Sequence, residues 1–458
     1  SGSGLGPLAF WWARHIYYAV ARQTCALLFC FVPPSFKIKV TSKNSLKEAK
    51  CIPIVMHGDG VEFVDDDSVE VLSCGPLLGT GDSMDCMFLI GTLPYSVTHK
   101  IRASGSRVVN ASWKGPMKEI AESFTHCLHG VPMAGGYRFV IWAITGDNEH
   151  HANFFGLPHW SMCDWCAACN CNTSSRNGLV FRKRKWSETV VDAELACRYS
   201  TNAIFQVPGV TTATVEDDPL HDLYTHGVCG ILIGSALHTM IYKEGRGKQK
   251  SPPVHRLSLI WQKIKALCVD LDVINELSQL SLAHIHTPDK PHSSHPYFKA
   301  KGHHTKIILP VIAKLCVEAD DGSEMHKHQN NALRAIASFC ALLDVAPVVP
   351  SDSQAALSVK FMDEFLVESE WLNDWAKRND KLLFNLVNKH HYCWHLSRKF
   401  RFLNPRFTWT FKTEDYVGKI ATLGHNCSMG KTKLMVPKVL SEKYRECEHL
   451  RLTRGDLG

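Results

Sequence analysis

The order of the predicted elements indicates an α/β fold in which a mixed sheet domain is interrupted by an all-helical one. Short apolar runs typical of strands lie early in the chain of 458 residues. From about residue 220 to residue 404, apolar residues instead recur every three or four positions, which is typical of helices. A composition of 45% hydrophobic and 21% charged residues is close to the globular average, so a disordered or collagen-like chain is excluded.

Apolar runs bounded by turn residues predict the strands. They are Cys51–His57, Val69–Cys74, Met84–Leu93, Tyr137–Thr145 and, more weakly, Ala203–Val207. A helix is predicted to begin at Pro116, because proline suits a first helical position and the apolar residues that follow are four apart.

Helical periodicity then covers six segments, and another helix is predicted to begin near Lys412. The six are Leu220–Tyr242, His255–Leu280, Thr305–Cys316, Asn331–Leu343, Gln354–Trp375 and Leu382–Lys399. The segment 1–45 is hydrophobic, but Arg14, His15 and Arg22 interrupt it before it reaches the roughly 20 apolar residues of a spanning helix. We expect a packed or amphipathic helix there and no membrane association.

Two aspartates directly follow apolar strands. Asp59 lies in Gly58-Asp59-Gly60, and Asp147 lies in Gly146-Asp147-Asn148. Each sequence is also typical of a turn, and a plain turn is the alternative interpretation. At the carboxyl ends of two strands in one sheet, the pair could instead hold divalent metal ions, because Mg²⁺ prefers oxygen ligands.

Four thiols within nine residues, from Cys163 to Cys171, suggest a zinc site. A Cys-x-x-Cys turn lets two thiolates bind one Zn²⁺, and the second pair of ligands could come from the same loop or from Asp218-Pro-Leu-His221. The candidate ligands are Cys163, Cys166, Cys169, Cys171, Asp218 and His221. Reduced thiols without metal and a redox pair are the alternatives. The isolated cysteines Cys268, Cys316 and Cys340 are predicted to be buried thiols.

The order of these motifs resembles the DDE transposases of the CACTA, Plavaka and hAT-like groups. In chain order they are Ile54-Val-Met-His-Gly-Asp59, Ile141-Trp-Ala-Ile-Thr-Gly-Asp147, Gly156-Leu-Pro-His-Trp-Ser-Met-Cys163-Asp-Trp-Cys166, Asp218-Pro-Leu-His221, Lys389-His-His-Tyr-Cys-Trp-His395 and a segment from Asn404 through Glu414. The resemblance implies a ribonuclease-H-like mixed sheet with flanking helices and a large helical insertion. It also implies that Glu414 is a third catalytic carboxylate beside Asp59 and Asp147; the adjacent Asp415 is the alternative.

By this resemblance the protein is expected to bind two Mg²⁺ or Mn²⁺ ions, and one Zn²⁺ at the cysteine-rich loop. Its expected partner is DNA, both transposon ends and target, and a nuclear location and a homo-oligomer are expected as well. The predicted organisation is an N-terminal segment 1–45, a core 46–218 with the cysteine-rich loop 160–172, a helical insertion 219–403 and a return to the core at 404–458.

The net charge of +7 is compatible with DNA but does not indicate it. Two short basic runs are candidate DNA contacts, and solvated loops are the alternative. The candidate residues are Arg182, Lys183, Arg184, Lys185, Lys248 and Lys250. The function expected is metal-dependent DNA cleavage and strand transfer. Two other hypotheses remain: a catalytically inactive, transposon-derived protein that binds DNA or zinc, and a protein in which the Gly-Asp turns are only turns.

Overall fold

The computed structural model describes most of the chain. The described residues are 50–64, 67–79, 81–95, 100–102, 108–130, 137–174, 178–182, 200, 202–242, 251–286, 290, 292–432 and 435–453. The predicted N-terminal helix within 1–45 lies outside them. The basic residues Lys183, Arg184, Lys185, Lys248 and Lys250 lie outside them as well.

The chain divides into two compact units. The first comprises Ser1–Asn170, Thr189–Glu216 and Thr408–Gly458, and the second comprises Cys171–Glu188 and Asp217–Phe407. The corresponding predicted limits were 46–218 and 404–458 for the core and 219–403 for the insertion. The short stretch Cys171–Glu188, which was predicted within the core, is grouped with the second unit.

The first unit contains a four-stranded mixed sheet and a small two-stranded ribbon, so the predicted α/β class is confirmed at this level. Its strands are β1 (Cys51–Val64), β2 (Asp67–Pro76), β3 (Phe88–Pro94), β4 (Lys100–Arg102), β5 (Val108–Asn110) and β6 (Arg138–Thr145). The sheet has the order β3-β2-β1-β6, and β4 pairs with β5. β1, β2 and β3 pair antiparallel, whereas β6 pairs parallel with β1. A parallel bridge between Ile144 and Val215 extends the pairing beyond β6.

Helices cover the sheet on both faces. The helices of this unit are α1 (Ser83–Cys86), α2 (Lys114–Cys127), α3 (Asn148–Phe155), α10 (Phe411–Ser428) and α11 (Val436–Thr453). On one face, α2 and α3 share an apolar core with the strands, for instance Met117 and Phe154 with Ile54 and Met56. α10 packs against β1 and β2, yet none of its residues belongs to that core, so it lies on the opposite face.

Three strand predictions for this unit need correction. β1 does not end at His57: it continues to Val64 because the whole second half pairs with β2. The predicted strand Met84–Leu93 begins only at Phe88, because the Asp82 side chain caps the short helix α1 by accepting from the Met84 amide. The weak strand Ala203–Val207 is instead a 3₁₀ turn, Ala203–Gln206, capped in the same way by Asn202.

The second unit is helical, as predicted for this part of the chain. It contains a π-helix, Leu220–Tyr224, followed by α4 (Val228–Ile241), α5 (Pro253–Asp270), α6 (Gly302–Glu318), α7 (Glu324–Val345), α8 (Asp352–Arg378) and α9 (Asn388–Lys399). The predicted helix Leu220–Tyr242 is thus broken. At Gly227 a Cβ would lie 2.3 Å from the Leu223 carbonyl carbon, and only glycine permits this close approach.

The core of this unit contains the cysteines that were predicted to be buried thiols. Cys268, Cys316 and Cys340 are buried and free. Burial raises the pKa of Cys316 to about 12, so its thiol stays protonated at neutral pH. Within the part of the chain that the structure describes, no helix is both long and apolar enough to span a membrane.

Candidate functional site

The parallel register of β1 and β6 ends two residues before Asp59 and Asp147. His57 on β1 is paired with Thr145 on β6, and each aspartate lies two residues further along its chain. The two side chains of the pair face each other, with His57 Nδ1 3.1 Å from Thr145 Oγ1. Because side chains alternate along extended backbone, Asp59 projects from this same face, opposite the face of Met56.

Asp59 does not lie at a strand end, contrary to the prediction. It lies within β1, paired with Val71 of β2, at the level where the neighbouring β6 has ended. Asp59 therefore lies beyond the last residue of the parallel strand β6. The glycine beside it is required by packing rather than by a turn: at Gly58 a Cβ would lie 2.0 Å from His150 Cε1.

Asp147 is the N-cap of α3. Its Oδ1 accepts a hydrogen bond of 2.6 Å from the His150 amide. The turn interpretation of Gly146-Asp147-Asn148 is thus partly right, because the aspartate terminates a strand and begins a helix. The cap uses one oxygen, and Oδ2 makes no hydrogen bond to any residue that the structure describes. One oxygen therefore remains available as a metal ligand.

A buried polar network lies on the other side of the sheet, beneath the two Gly-Asp segments. His150 Nδ1 lies 2.5 Å from Glu70 Oε1, and the Tyr95 hydroxyl donates to Glu70 Oε2 at 2.5 Å. His150 is 5% exposed and Glu70 4%. Sequence analysis missed these residues, since nothing in the spacing of Glu70, Tyr95 and His150 distinguishes them.

The charges around this network shift two pKa values. Burial lowers the pKa of His150, but the Glu70 carboxylate and its hydrogen bond, together with Asp147 and Asp59, outweigh burial and raise it. Burial, then the charge and hydrogen bond of Glu70, raise the pKa of Tyr95 far above its usual value. The charges of Asp59 and Asp147 also raise the pKa values of both side chains.

Glu414 and Asp415 occupy the first turn of α10 and have different surroundings. Asp415 is exposed; its Oδ2 accepts from Ser83 Oγ at 2.6 Å and pairs with Lys419 at 3.0 Å. The Ser83 hydrogen bond and then Lys419 lower the pKa of Asp415. Glu414 is half-buried on the edge of the helix face that contains Thr413 and Val417. Asp415 is thus engaged by α1 and by its own helix.

The cysteine-rich loop brings two of its four thiols together. Cys166 and Cys169 are buried with their sulfurs 3.6 Å apart, and the Ala168 amide donates to Cys166 Sγ at 3.4 Å. Tetrahedral zinc with bonds of about 2.3 Å separates two sulfurs by about 3.8 Å, close to this value. Cys163 is exposed, whereas Cys171 is buried.

A pair of histidines on α9 was not predicted as metal ligands. His391 and His395 are one helical turn apart and buried, with their Nε2 atoms 3.0 Å apart. Tetrahedral zinc with bonds of 2.0 to 2.1 Å would separate two such nitrogens by about 3.3 Å. Burial, then His391 and the cations Lys399 and Arg398, lower the pKa of His395 well below its usual range. A neutral imidazole is the form that binds metal.

The ligand atoms of Cys166, Cys169, His391 and His395 all lie within 4.8 Å of one another, so this cluster could hold a metal ion such as zinc. The candidates Asp218 and His221 are not part of it. Their side chains bond each other at 2.5 Å, Asp218 Oδ2 to His221 Nδ1. With Glu414 they form a second group of ligand atoms within the same limit.

Of the candidate DNA contacts, the structure describes Arg182. Its guanidinium pairs with Glu370 at 3.1 Å and with Asp374 at 2.9 Å, and its backbone amide also donates to Glu370. Two carboxylates thus neutralise this arginine.

Comparisons with known proteins do not identify the chain. No protein-family model matches it, and no curated protein matches it.

Proposed function

We propose that the chain is a transposase-like enzyme of the DDE type, in which Asp59, Asp147 and Glu414 hold two Mg²⁺ or Mn²⁺ ions. The observation that carries the proposal is the register of β1 and β6, which pairs His57 with Thr145, the residues two positions before Asp59 and Asp147. Neighbouring strands lie about 4.8 Å apart, a separation that would let two carboxylates share a pair of ions.

The architecture of the first unit supports this proposal. The mixed sheet with helices on both faces agrees with the ribonuclease-H-like core that the resemblance implies. The chain returns to this unit at Thr408, and α10, the helix that contains Glu414, packs against β1 and β2. All three acidic residues belong to the same unit, although 267 positions separate Asp147 from Glu414 in the sequence.

The proposed chemistry is in-line displacement at phosphorus. Divalent ions at this site would supply an activated water or 3′ hydroxyl and stabilise the leaving oxygen. Attack of water on a phosphodiester breaks the bond to the 3′ oxygen and gives a 3′ hydroxyl and a 5′ phosphate. Attack of that hydroxyl on a second phosphodiester forms a new phosphodiester bond and breaks the bond to the 3′ oxygen of the attacked strand, which leaves as a 3′ hydroxyl. Asp59, Asp147 and Glu414 serve this reaction by holding the ions with carboxylate oxygens.

The proposal includes DNA as the substrate, a homo-oligomer that joins two transposon ends, and a nuclear location. These three elements rest on the resemblance of the motif order. Lysines and arginines would contact phosphates, so binding should weaken as salt rises. Arg182 is a weak candidate among them because Glu370 and Asp374 already neutralise it.

The proposal is tested by incubating the protein with duplex DNA and Mn²⁺. Wild-type protein should nick the DNA, and Asp59→Asn, Asp147→Asn and Glu414→Gln should each abolish nicking. The matched control is Asp415→Asn, which removes a neighbouring carboxylate already held by Ser83 and Lys419 and should retain activity. Loss of nicking in the control but not in Glu414→Gln would transfer the third role to Asp415.

The second candidate function is a catalytically inactive, transposon-derived protein that keeps the fold and binds DNA or zinc. The favouring observation is that Asp147 has a structural use as the cap of α3, which alone would preserve an aspartate there. DNA binding without cleavage under any divalent ion, with Asp59→Asn identical to wild type, would support this second function.

We infer further that the metal of the Cys166, Cys169, His391 and His395 cluster is zinc. Two thiolates and two imidazoles are a common ligand set for structural zinc, and the spacings Cys-x₂-Cys and His-x₃-His fit it. The measured S···S and N···N distances are both within about 0.3 Å of tetrahedral values. With all four positions filled by protein, such an ion would stabilise the fold rather than perform catalysis.

Metal analysis of purified protein should give one zinc per chain. Cys166→Ser or His395→Ala should lose the zinc and lower the melting temperature, because binding free energy contributes to folding. Cys163→Ser is the matched control: this exposed thiol of the same loop should leave both quantities unchanged. Equal zinc content in the Cys166 and Cys163 variants would reject the assignment.

A further inference from the structure

We propose that His150, held by Glu70 and Tyr95, is a positioning residue that sets the relative placement of Asp59 and Asp147. The inference rests on the proposed function in so far as those aspartates bind metal. It concerns a histidine that neither the motif order nor the spacing of acidic residues singles out.

One ring contacts both segments that contain the carboxylates. A Cβ at Gly58 would lie 2.0 Å from His150 Cε1, and a Cβ at Gly146 would lie 2.7 Å from His150 Cδ2. The imidazole therefore packs directly against the backbone preceding each aspartate. The backbone of His150 adds a third contact by donating its amide to Asp147 Oδ1.

The orientation of the ring is fixed from two sides. Phe154 stacks on it with ring centroids 4.8 Å apart, and Phe155 meets it edge-on at 5.4 Å. In the plane of the ring, Nδ1 is bonded to Glu70 Oε1 at 2.5 Å. A ring with this many constraints cannot rotate away from the two glycines without breaking a buried hydrogen bond.

Glu70 and Tyr95 extend the same support to the segment after Asp59. Glu70 on β2 pairs with Gly60 on β1. The Tyr95 hydroxyl donates to Glu70 Oε2, and a Cβ at Gly60 would lie 2.6 Å from that hydroxyl oxygen. The residues before and after Asp59 thus both rest on one hydrogen-bonded network. Its members lie on the sheet face opposite to the carboxylate, so they support the site without occupying it.

The consequence is a specific pattern of metal affinity. Residues that orient metal ligands from behind typically change metal affinity by about 10- to 100-fold when they are removed. His150→Ala and Glu70→Gln should therefore weaken Mn²⁺ binding by about that factor, and His150→Asn should restore part of it, because its amide can still donate to Glu70. Nicking should fall through kcat, with KM for DNA unchanged.

The experiment measures Mn²⁺ affinity of the full-length protein by electron paramagnetic resonance, in the absence of DNA. His151→Ala is the matched control, since His151 is a buried neighbour on the same helix that makes no contact with Gly58 or Gly146 among those the structure gives for these glycines. Circular dichroism checks that each variant is folded. If Asp59→Asn loses Mn²⁺ while His150→Ala and Glu70→Gln bind it as tightly as wild type, the inference is overturned and the proposed function stands.

A second measurement covers the case in which wild-type protein binds no Mn²⁺ and cuts no DNA, so that the proposed function fails. Hydrogen exchange then reports on the backbone directly. His150→Ala should speed amide exchange in the segments around Asp59 and Asp147, whereas His151→Ala should not. Unchanged amide exchange in both segments would overturn the positioning inference independently of the proposed function.

Discussion

Asp222 provides the sharpest test of the electrostatics of the second unit. This carboxylate is 1% exposed, and neither oxygen has a hydrogen-bond partner among the residues that the structure describes. Burial, and next the neighbouring charge of Asp217, raise the pKa of Asp222 well above its usual value, although Lys389 partly opposes them. The substitution Asp222→Asn keeps the shape of the side chain and removes its ionisable carboxyl group.

The sign of the effect follows from linkage. An unfolded aspartate titrates near pH 3.9, and the folded group titrates higher, so the folded protein holds the extra proton between the two values. The stability that this proton contributes is complete below about pH 3.9 and is lost as pH rises through the folded pKa. The loss is at most about 1.4 kcal/mol per pH unit. Asparagine does not titrate, so the stability of the variant does not decrease with pH through this group.

We therefore expect Asp222→Asn to gain stability over wild type as pH rises above about 3.9, by at most about 1.4 kcal/mol per pH unit. The assay is urea unfolding followed by tryptophan fluorescence at fixed ionic strength. Asp270→Asn, which removes an exposed carboxylate of α5, is the control for the loss of one negative charge. Parallel curves for Asp222→Asn and wild type would refute the reasoning, because they would show that the buried group has the same pKa in both states.

Two further predictions concern glycine and cysteine. Gly58→Ala should lower the melting temperature, with a cost of about 1 to 3 kcal/mol, because its Cβ would overlap His150. Gly115→Ala, in α2 with nothing within 4 Å of its Cβ, should instead be neutral or stabilising by up to about 1 kcal/mol; equal melting shifts would contradict the packing argument. Iodoacetamide should modify the exposed Cys163 rapidly and Cys316 only on unfolding, because burial raises the pKa of Cys316 to about 12. Mass spectrometry of peptides checks this, and early labelling of Cys316 would be the adverse result.

Much of the fold could be predicted because strong periodic signals agree with tertiary packing. The strands β1, β2 and β6 and the helices α6 to α9 lie where period two or period 3.6 is sustained. Errors arose where a single side chain capped a turn, as Asp82 does before α1, because a cap depends on one residue and not on a pattern. The continuation of β1 past Gly58-Asp59-Gly60 could not be foreseen, since it depends on pairing with β2.

The candidate sites were predictable to different degrees. Asp59 and Asp147 could be singled out because each follows an apolar run, whereas the parallel pairing of β1 with β6 is known only from the structure. The pair His391 and His395 carries a signal that was available, because His-x₃-His completes Cys-x₂-Cys as a zinc ligand set. Glu70 carries no such signal: alternation along a strand only predicts which face it occupies, and its partner His150 is 80 residues away.

The buried pair of Glu70 and His150 bears on the choice between an active enzyme and a protein that only retains the fold. Buried ionic pairs are poor stabilisers, since desolvation offsets their attraction, and apolar replacements are often neutral or stabilising by about 1 to 4 kcal/mol. A protein that must hold two like charges at a set separation gains a rigid support with defined hydrogen bonds. We propose that the network serves the placement of Asp59 and Asp147, and substitution of Glu70 and His150 together by apolar residues separates this role from stability: we expect a protein at least as stable as wild type that no longer binds Mn²⁺.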